Sequence, residues 1–104
     1  MLECIYNEVS NQLDCKFIGR MDGPHSKTAE TELNNKLADL LEKHPDLNVA
    51  FNLSEVEYIA SVFIRMCLAT AKQVKENAFS IISTNPLIKK TFKIAGLEEI
   101  LNVS

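Results

Sequence analysis

Along this chain the spacing of apolar residues switches back and forth between the two-residue period of a half-buried strand and the three-to-four-residue period of an amphipathic helix, which leaves few folds open. Residues 26–44 carry Ala29, Leu33, Leu37, Leu40 and Leu41 at helical spacing, with Glu30, Glu32, Asn34, Lys36 and Asp39 on the other side. That pattern predicts a helix with one apolar face. Pro45 ends it, and residues 48–53 (NVAFNL) follow as a strand.

The segments around this unit extend the alternation. Residues 2–9 and 12–18 are two alternating runs separated by Ser10-Asn11, which predicts an antiparallel hairpin. A two-residue turn places Cys4, Tyr6, Leu13, Cys15 and Phe17 on one face, the buried one. Residues 19–25, with two glycines and a proline, are expected to be loop. A second helix is predicted over residues 61–76, where Val62, Ile64, Met66, Cys67, Leu68, Ala71 and Val74 form an apolar surface broader than that of the first helix, part of it left for a partner. Residues 78–83 (AFSIIS) read as a strand and Thr84-Asn85 as a cap, with Pro86 at the first position of a third helix running to Ala95. Gly96 supplies a left-handed stop, Leu97 packs back on it, and residues 99–103 form a last strand. The predicted order is β-β-α-β-α-β-α-β. It makes residues 1–104 a single α/β domain with a mostly parallel sheet of four to five strands behind an opening antiparallel hairpin.

Composition narrows the function classes. In a chain of 104 residues with a net charge of −3, no basic cluster is denser than Lys89-Lys90, so neither nucleic acid nor an anionic membrane surface is an expected partner. No apolar run approaches the ~18 residues of a spanning helix, and the N-terminus lacks the features of a signal peptide. The expected location is therefore cytoplasmic. Three cysteines without CxxC spacing, Cys4, Cys15 and Cys67, support neither a disulfide framework nor a zinc site and read as reduced, small apolar residues. His25 and His44 with Asp14, Asp22 and Asp46 form no ligand set, and the glycines at 19, 23 and 96 fit no phosphate-cradling loop. No metal or cofactor is expected.

Ser61 is the candidate functional residue. An acyl-transfer role fails on its neighbours, because a nucleophile elbow needs flanking glycines and Ser61 stands between Ala60 and Val62-Phe63. Two readings remain. A serine at a helix start is a preferred N-cap, and it is equally a site where a phosphate is favoured by backbone N–H groups. Ile59, Val62 and Phe63 place apolar residues around it at the end of a strand, where partner contacts collect in open α/β sheets.

Residues 51–61 (FNLSEVEYIAS) resemble the "(V/L)DLS-x-V-x-(F/Y)-I-(D/S)-S" segment of STAS domains, and Arg65 falls where an arginine often follows. Residues 94–101 (IAGLEEIL) are similar to the "LAGLDDLF" ending of that family, and residues 19–22 (GRMD) to its "G-R-L-D". The resemblance covers nearly the whole chain and extends, among STAS domains, to bacterial anti-sigma factor antagonists. It implies a non-enzymatic, partner-switching regulator of transcription. The unphosphorylated form would bind a serine kinase of the GHKL ATPase type that doubles as an anti-sigma factor. Phosphorylation at Ser61 would release it, and a PP2C-type phosphatase would reverse the mark. Asp22, Asn52, Ala60, Val62, Phe63, Arg65 and Met66 would line the partner surface, with Asp22 and Asn52 at one end of the sheet. A homodimer is left open.

The chain also departs from the pattern. Asn52 stands for the usual Asp, Ala60 for an Asp or Ser, Val62 for a small residue and Phe63 for a near-universal Gly. Phe63 is then expected to be an exposed apolar anchor for a partner. The departures at Ala60 and Phe63 favour an alternative, a structural STAS subunit of a larger assembly such as a lipid-transport ATPase complex or a stressosome-like scaffold, which would need no phosphorylation.

Overall fold

A computed structural model describes residues 1–104. The alternation of periods resolves into β1 (Leu2–Asn7), β2 (Gln12–Met21), α1 (Gly23–Lys43), β3 (Asn48–Ile59), α2 (Ser61–Ala71), β4 (Phe79–Ile82) and α3 (Pro86–Ile94). The strands form one sheet in the order β1-β2-β3-β4, with β1 antiparallel to β2 and the other neighbours parallel. Parallel neighbours need a crossover, and α1 and α2 supply the two. The predicted class, a mostly parallel sheet behind an opening hairpin, is the observed one.

The hairpin turn is longer than Ser10-Asn11: β1 stops at Asn7, and Val9 is solvent-exposed. The resulting register pairs Cys4 with Cys15 and Tyr6 with Leu13. This differs from the two-residue-turn register by an even number of residues. The face assignment therefore survives, and Leu13, Cys15 and Phe17 are all buried.

Two predicted loops are largely strand. β2 continues to Met21 and β3 to Ile59, and the two stay paired as far as Met21↔Ile59. Register shifts between Lys16 and Ile18 and between Gly19 and Arg20 interrupt the ladder. Such irregularities break the strict two-residue alternation, which is why Leu53, Val56 and Ile59 are buried at intervals of three and the stretch reads as a polar turn. Gly19 sits at φ +98°, a conformation costly for any residue with a Cβ.

Both long helices shift against their predicted bounds. α1 begins three residues before Ser26, because Asp22 is its N-cap and Pro24 fits the first turn, where no N–H is required. α2 ends at Ala71 and not at Glu76: Gln73 N–H bonds Thr70 O at 3.0 Å, and Asn77, at φ +66°, turns the chain into β4. α3 matches its signals. Asn85 caps it by accepting from Ile88 N–H at 2.8 Å, and Gly96 takes the left-handed stop at φ +74°.

The last predicted strand is not one. Leu101 N–H bonds Leu97 O and Val103 N–H bonds Glu98 O, so local turns consume the backbone groups a strand would offer. Contact with the sheet is one parallel bridge, Val103 to Ile81, made by Ile81 N–H to Asn102 O at 3.2 Å and Ser104 N–H to Ile81 O at 2.9 Å, while Leu101 plugs the core. At the centre of that core Phe51 meets Phe17 and Phe79 edge-on at centroid distances of 4.7 and 4.9 Å, and Phe63 meets Phe17 at 5.1 Å.

Candidate functional site

Because β2 and β3 are parallel and end level with each other, the helices that follow them start side by side. Ala60 N–H donates to Met21 O at 2.9 Å, tying the two exits together. From there one chain enters α1 at Gly23 and the other enters α2 at Ser61. Two helix N-termini thus share the end of the sheet where the carboxyl ends of the strands lie, a setting that favours negative charge.

The two starts are finished differently. At α1 the Asp22 carboxylate accepts from His25 N–H at 3.0 Å and lies 2.7 Å from His25 Nδ1. The backbone bond first, then the ring, hold its carboxyl below the ordinary value, with Arg20 adding a smaller electrostatic pull. At α2 the cap position belongs to Ala60, and no side chain accepts from the first-turn N–H groups. Ser61 is the first helical residue, exposed to solvent. Its hydroxyl is not the N-cap, which resolves one of the two readings open in the sequence.

Around Ser61 the outer face of α2 carries Arg65, exposed and one turn further on, with Val62, Ile64 and Leu68 half-buried beside it. Phe63 and Met66 do not belong to this surface. They are 0% and 2% exposed and point into the core, so the expected apolar anchor at Phe63 is a packing residue. Three- and four-residue spacing from Ser61 leads outward to Ile64, Arg65 and Leu68, whereas a step of two or five leads inward.

Asn52 is also displaced from its expected place. It lies seven positions before Ile59 on β3, about 23 Å of strand, and its Oδ1 accepts from Ser54 N–H at 2.9 Å. Asp22 and Asn52 therefore do not line the same end of the sheet. What does accompany Asp22 there is the pair Arg20 and Tyr58, partners in the β2–β3 register, with the guanidinium 4.5 Å from the ring centroid. Only the long pairing of β2 and β3 brings these two together. No local pattern signals it.

No group of three or more His, Cys, Asp or Glu converges to hold a metal ion. Of four surface clefts, of about 80 to 740 Å³, none is lined by Ser61, and the smallest lies against the first turns of α1 at His25 and Thr28. No helix is long and apolar enough to cross a membrane.

By sequence, neither a family model nor a curated protein matches the chain. Its architecture does have solved counterparts. An anti-sigma-factor antagonist (STAS) domain protein from Planctomyces limnophilus superposes with a TM-score of 0.80 at 15% identity, covering 99% of this chain and 87% of that one. An anti-sigma factor antagonist from Mycobacterium paratuberculosis gives 0.78 at 16% identity, covering 99% and 85%. The anti-sigma factor antagonist SpoIIAA in its unphosphorylated form gives 0.67 at 10% identity, covering 90% and 83%. The four-stranded mixed sheet, its two crossover helices and the helix that follows β4 are thus those of the STAS fold, as found in anti-sigma factor antagonists.

Proposed function

We propose that this chain is a partner-switching module that binds an anti-sigma factor with serine-kinase activity when unmodified and lets go when Ser61 is phosphorylated. The observation that carries this reading is the state of Ser61: exposed, first in α2, and not engaged in capping. Its hydroxyl is free to accept a phosphoryl group without loss of a structural bond. The solved counterparts, anti-sigma factor antagonists with one described in an unphosphorylated form, support the same reading.

The electrostatics give the switch its direction. A phosphate of about −2 charge at the start of α2 meets unpaired N–H groups, the positive end of the helix and Arg65, so the domain itself tolerates it. A partner docked on Val62, Ile64 and Leu68 would instead have to bury that dianion against an apolar contact. A penalty of ~2 to 3 kcal/mol weakens binding about 30- to 150-fold. Arg65 and Ala60 belong to this contact in the proposal, and Asp22 borders it while capping α1. A PP2C-type phosphatase would restore the binding form.

Incubation with a serine kinase of the anti-sigma-factor type and ATP should add one phosphate, about 80 Da, to the wild type and none to Ser61→Ala. Ser61→Asp should weaken binding of that kinase at least tenfold. A phosphate that maps to another residue, or equal affinity of Ser61→Asp and wild type, would overturn the proposal.

A further inference from the structure

The hairpin that opens the chain carries a feature that the helix-end site does not use. Cys4 on β1 and Cys15 on β2 are paired directly across the antiparallel ladder, with their sulfurs 3.8 Å apart. Their position in the ladder is specific. Ile18 N–H bonds Met1 O at 2.8 Å and the Met1 amine bonds Ile18 O at 3.0 Å, so Met1 and Ile18 form a hydrogen-bonded pair. Three residues along, alternation places Cys4 and Cys15 in a non-hydrogen-bonded pair, where the Cα atoms approach to about 4.5 Å and the side chains are closest. That separation lies within the ~4.4 to 6.8 Å span that a disulfide bridges. Cys67, the third thiol, is buried in α2 and has no such neighbour.

The two thiols differ as attacking and resolving groups must. Cys4 is half-buried and reachable from solvent, while Cys15 is fully buried behind it. Hydrogen bonding with Cys15 holds the Cys4 thiol below its ordinary pKa, opposed by burial, helped by Lys36 and opposed by Glu32, both on α1. The same bond, with burial, pushes Cys15 up. The thiolate, and so the first nucleophile, belongs at Cys4.

We infer that Cys4 and Cys15 are a reversible oxidation site that closes to an intramolecular disulfide in response to a hydroperoxide and pins the edge strand β1 to β2. The Cys4 thiolate attacks one peroxide oxygen: an S–O bond forms, the O–O bond breaks, and the departing oxygen takes a proton. The Cys15 sulfur then attacks Cys4 as its own proton passes to the leaving hydroxide, so that S–S forms, S–O breaks and water departs. Two thiols give two electrons to the peroxide, and a dithiol reductant returns them. Cys15 lies six residues before Met21 on β2, about 20 Å of strand, so this site stands apart from Ser61 and does not depend on its role.

Trypsin offers a direct readout, because the first Lys or Arg in the chain is Lys16 and the peptide of residues 1–16 contains both cysteines. Exposure of the full chain to hydrogen peroxide, followed by alkylation in denaturant without reductant, should leave that peptide about 2 Da lighter and unalkylated. Dithiothreitol should restore two alkylatable thiols, and Cys67 should be alkylated in both samples. The oxidised protein should melt about 10 °C higher than the reduced one. In Cys15→Ala, peroxide should leave a sulfenic acid at Cys4 that dimedone traps. Two free thiols in the peptide after oxidation, sulfinic acid at Cys4 with Cys15 untouched, or a bridge between two chains would each overturn the inference.

Discussion

Phe63 is the residue whose replacement best separates two readings of α2. It stands where the resembling family has a glycine, beside the candidate phosphoacceptor, and an exposed phenylalanine there would be a partner anchor. In the structure it is 0% exposed and meets Phe17 edge-on at 5.1 Å and Phe51 at 6.5 Å. Phe63→Ala removes the ring from a closed site. The transfer cost of burying an aromatic side chain is ~2 to 3 kcal/mol, the cavity left behind raises the total, and the edge-on ring contact adds a further part. The expected loss is about 4 kcal/mol, a large share of the ~5 to 15 kcal/mol that holds a domain of this size together. Urea denaturation followed by circular dichroism measures it, since the chain has no tryptophan to report by fluorescence. With a slope of about 1.5 kcal/mol/M the midpoint should fall by about 2.7 M. A loss below about 1 kcal/mol, with weakened partner binding, would mean that α2 presents Phe63 outward and that the packing described above is wrong.

Two further outcomes probe the helix starts. Ser61→Ala should change stability by less than about 0.5 kcal/mol, because no cap bond is lost; a cost near ~1 kcal/mol in a urea titration would mark Ser61 as a cap after all. Asp22→Ala should destabilise the fold at neutral pH, because the Asp22 carboxylate caps α1 and its folded pKa is depressed by His25. A depressed folded pKa contributes stability that is present above the ordinary value of 3.8 and lost as pH falls through the folded one. The gap between wild type and variant should therefore shrink on acidification below pH 3.8, and a gap that stays constant there would remove the carboxylate from the account.

Much of the fold was legible locally. Helix α1 announces itself through Leu33 and Leu37 at a spacing of four, and α3 through Asn85, Pro86 and Gly96, each of which does what its backbone chemistry predicts. The β2–β3 extension was not legible. Its bulges convert the buried positions from every second residue to every third, and residues 54–58 then carry the polarity of a turn. The terminal segment misled in the opposite way: Leu101 and Val103 alternate like a strand, yet their N–H groups are consumed by turns. At the candidate site the Ser61 position was readable from the approach of a strand to a helix. The inward aim of Phe63 and Met66 was not, because a helix apolar on most of its surface does not reveal which stripe meets the sheet.

The sequence by itself determined the order of the elements from β1 to α3 and the identity of the serine at the second helix start, since these follow from local periodicity and turn chemistry. Only the tertiary structure decided which residues stand beside that serine. Strand length and register set where β2 and β3 end, and that brought Arg20, Tyr58 and Asp22 to the Ser61 end while leaving Asn52 far down the strand. The same long-range pairing, and no pattern within either strand, set the sulfurs of Cys4 and Cys15 against each other.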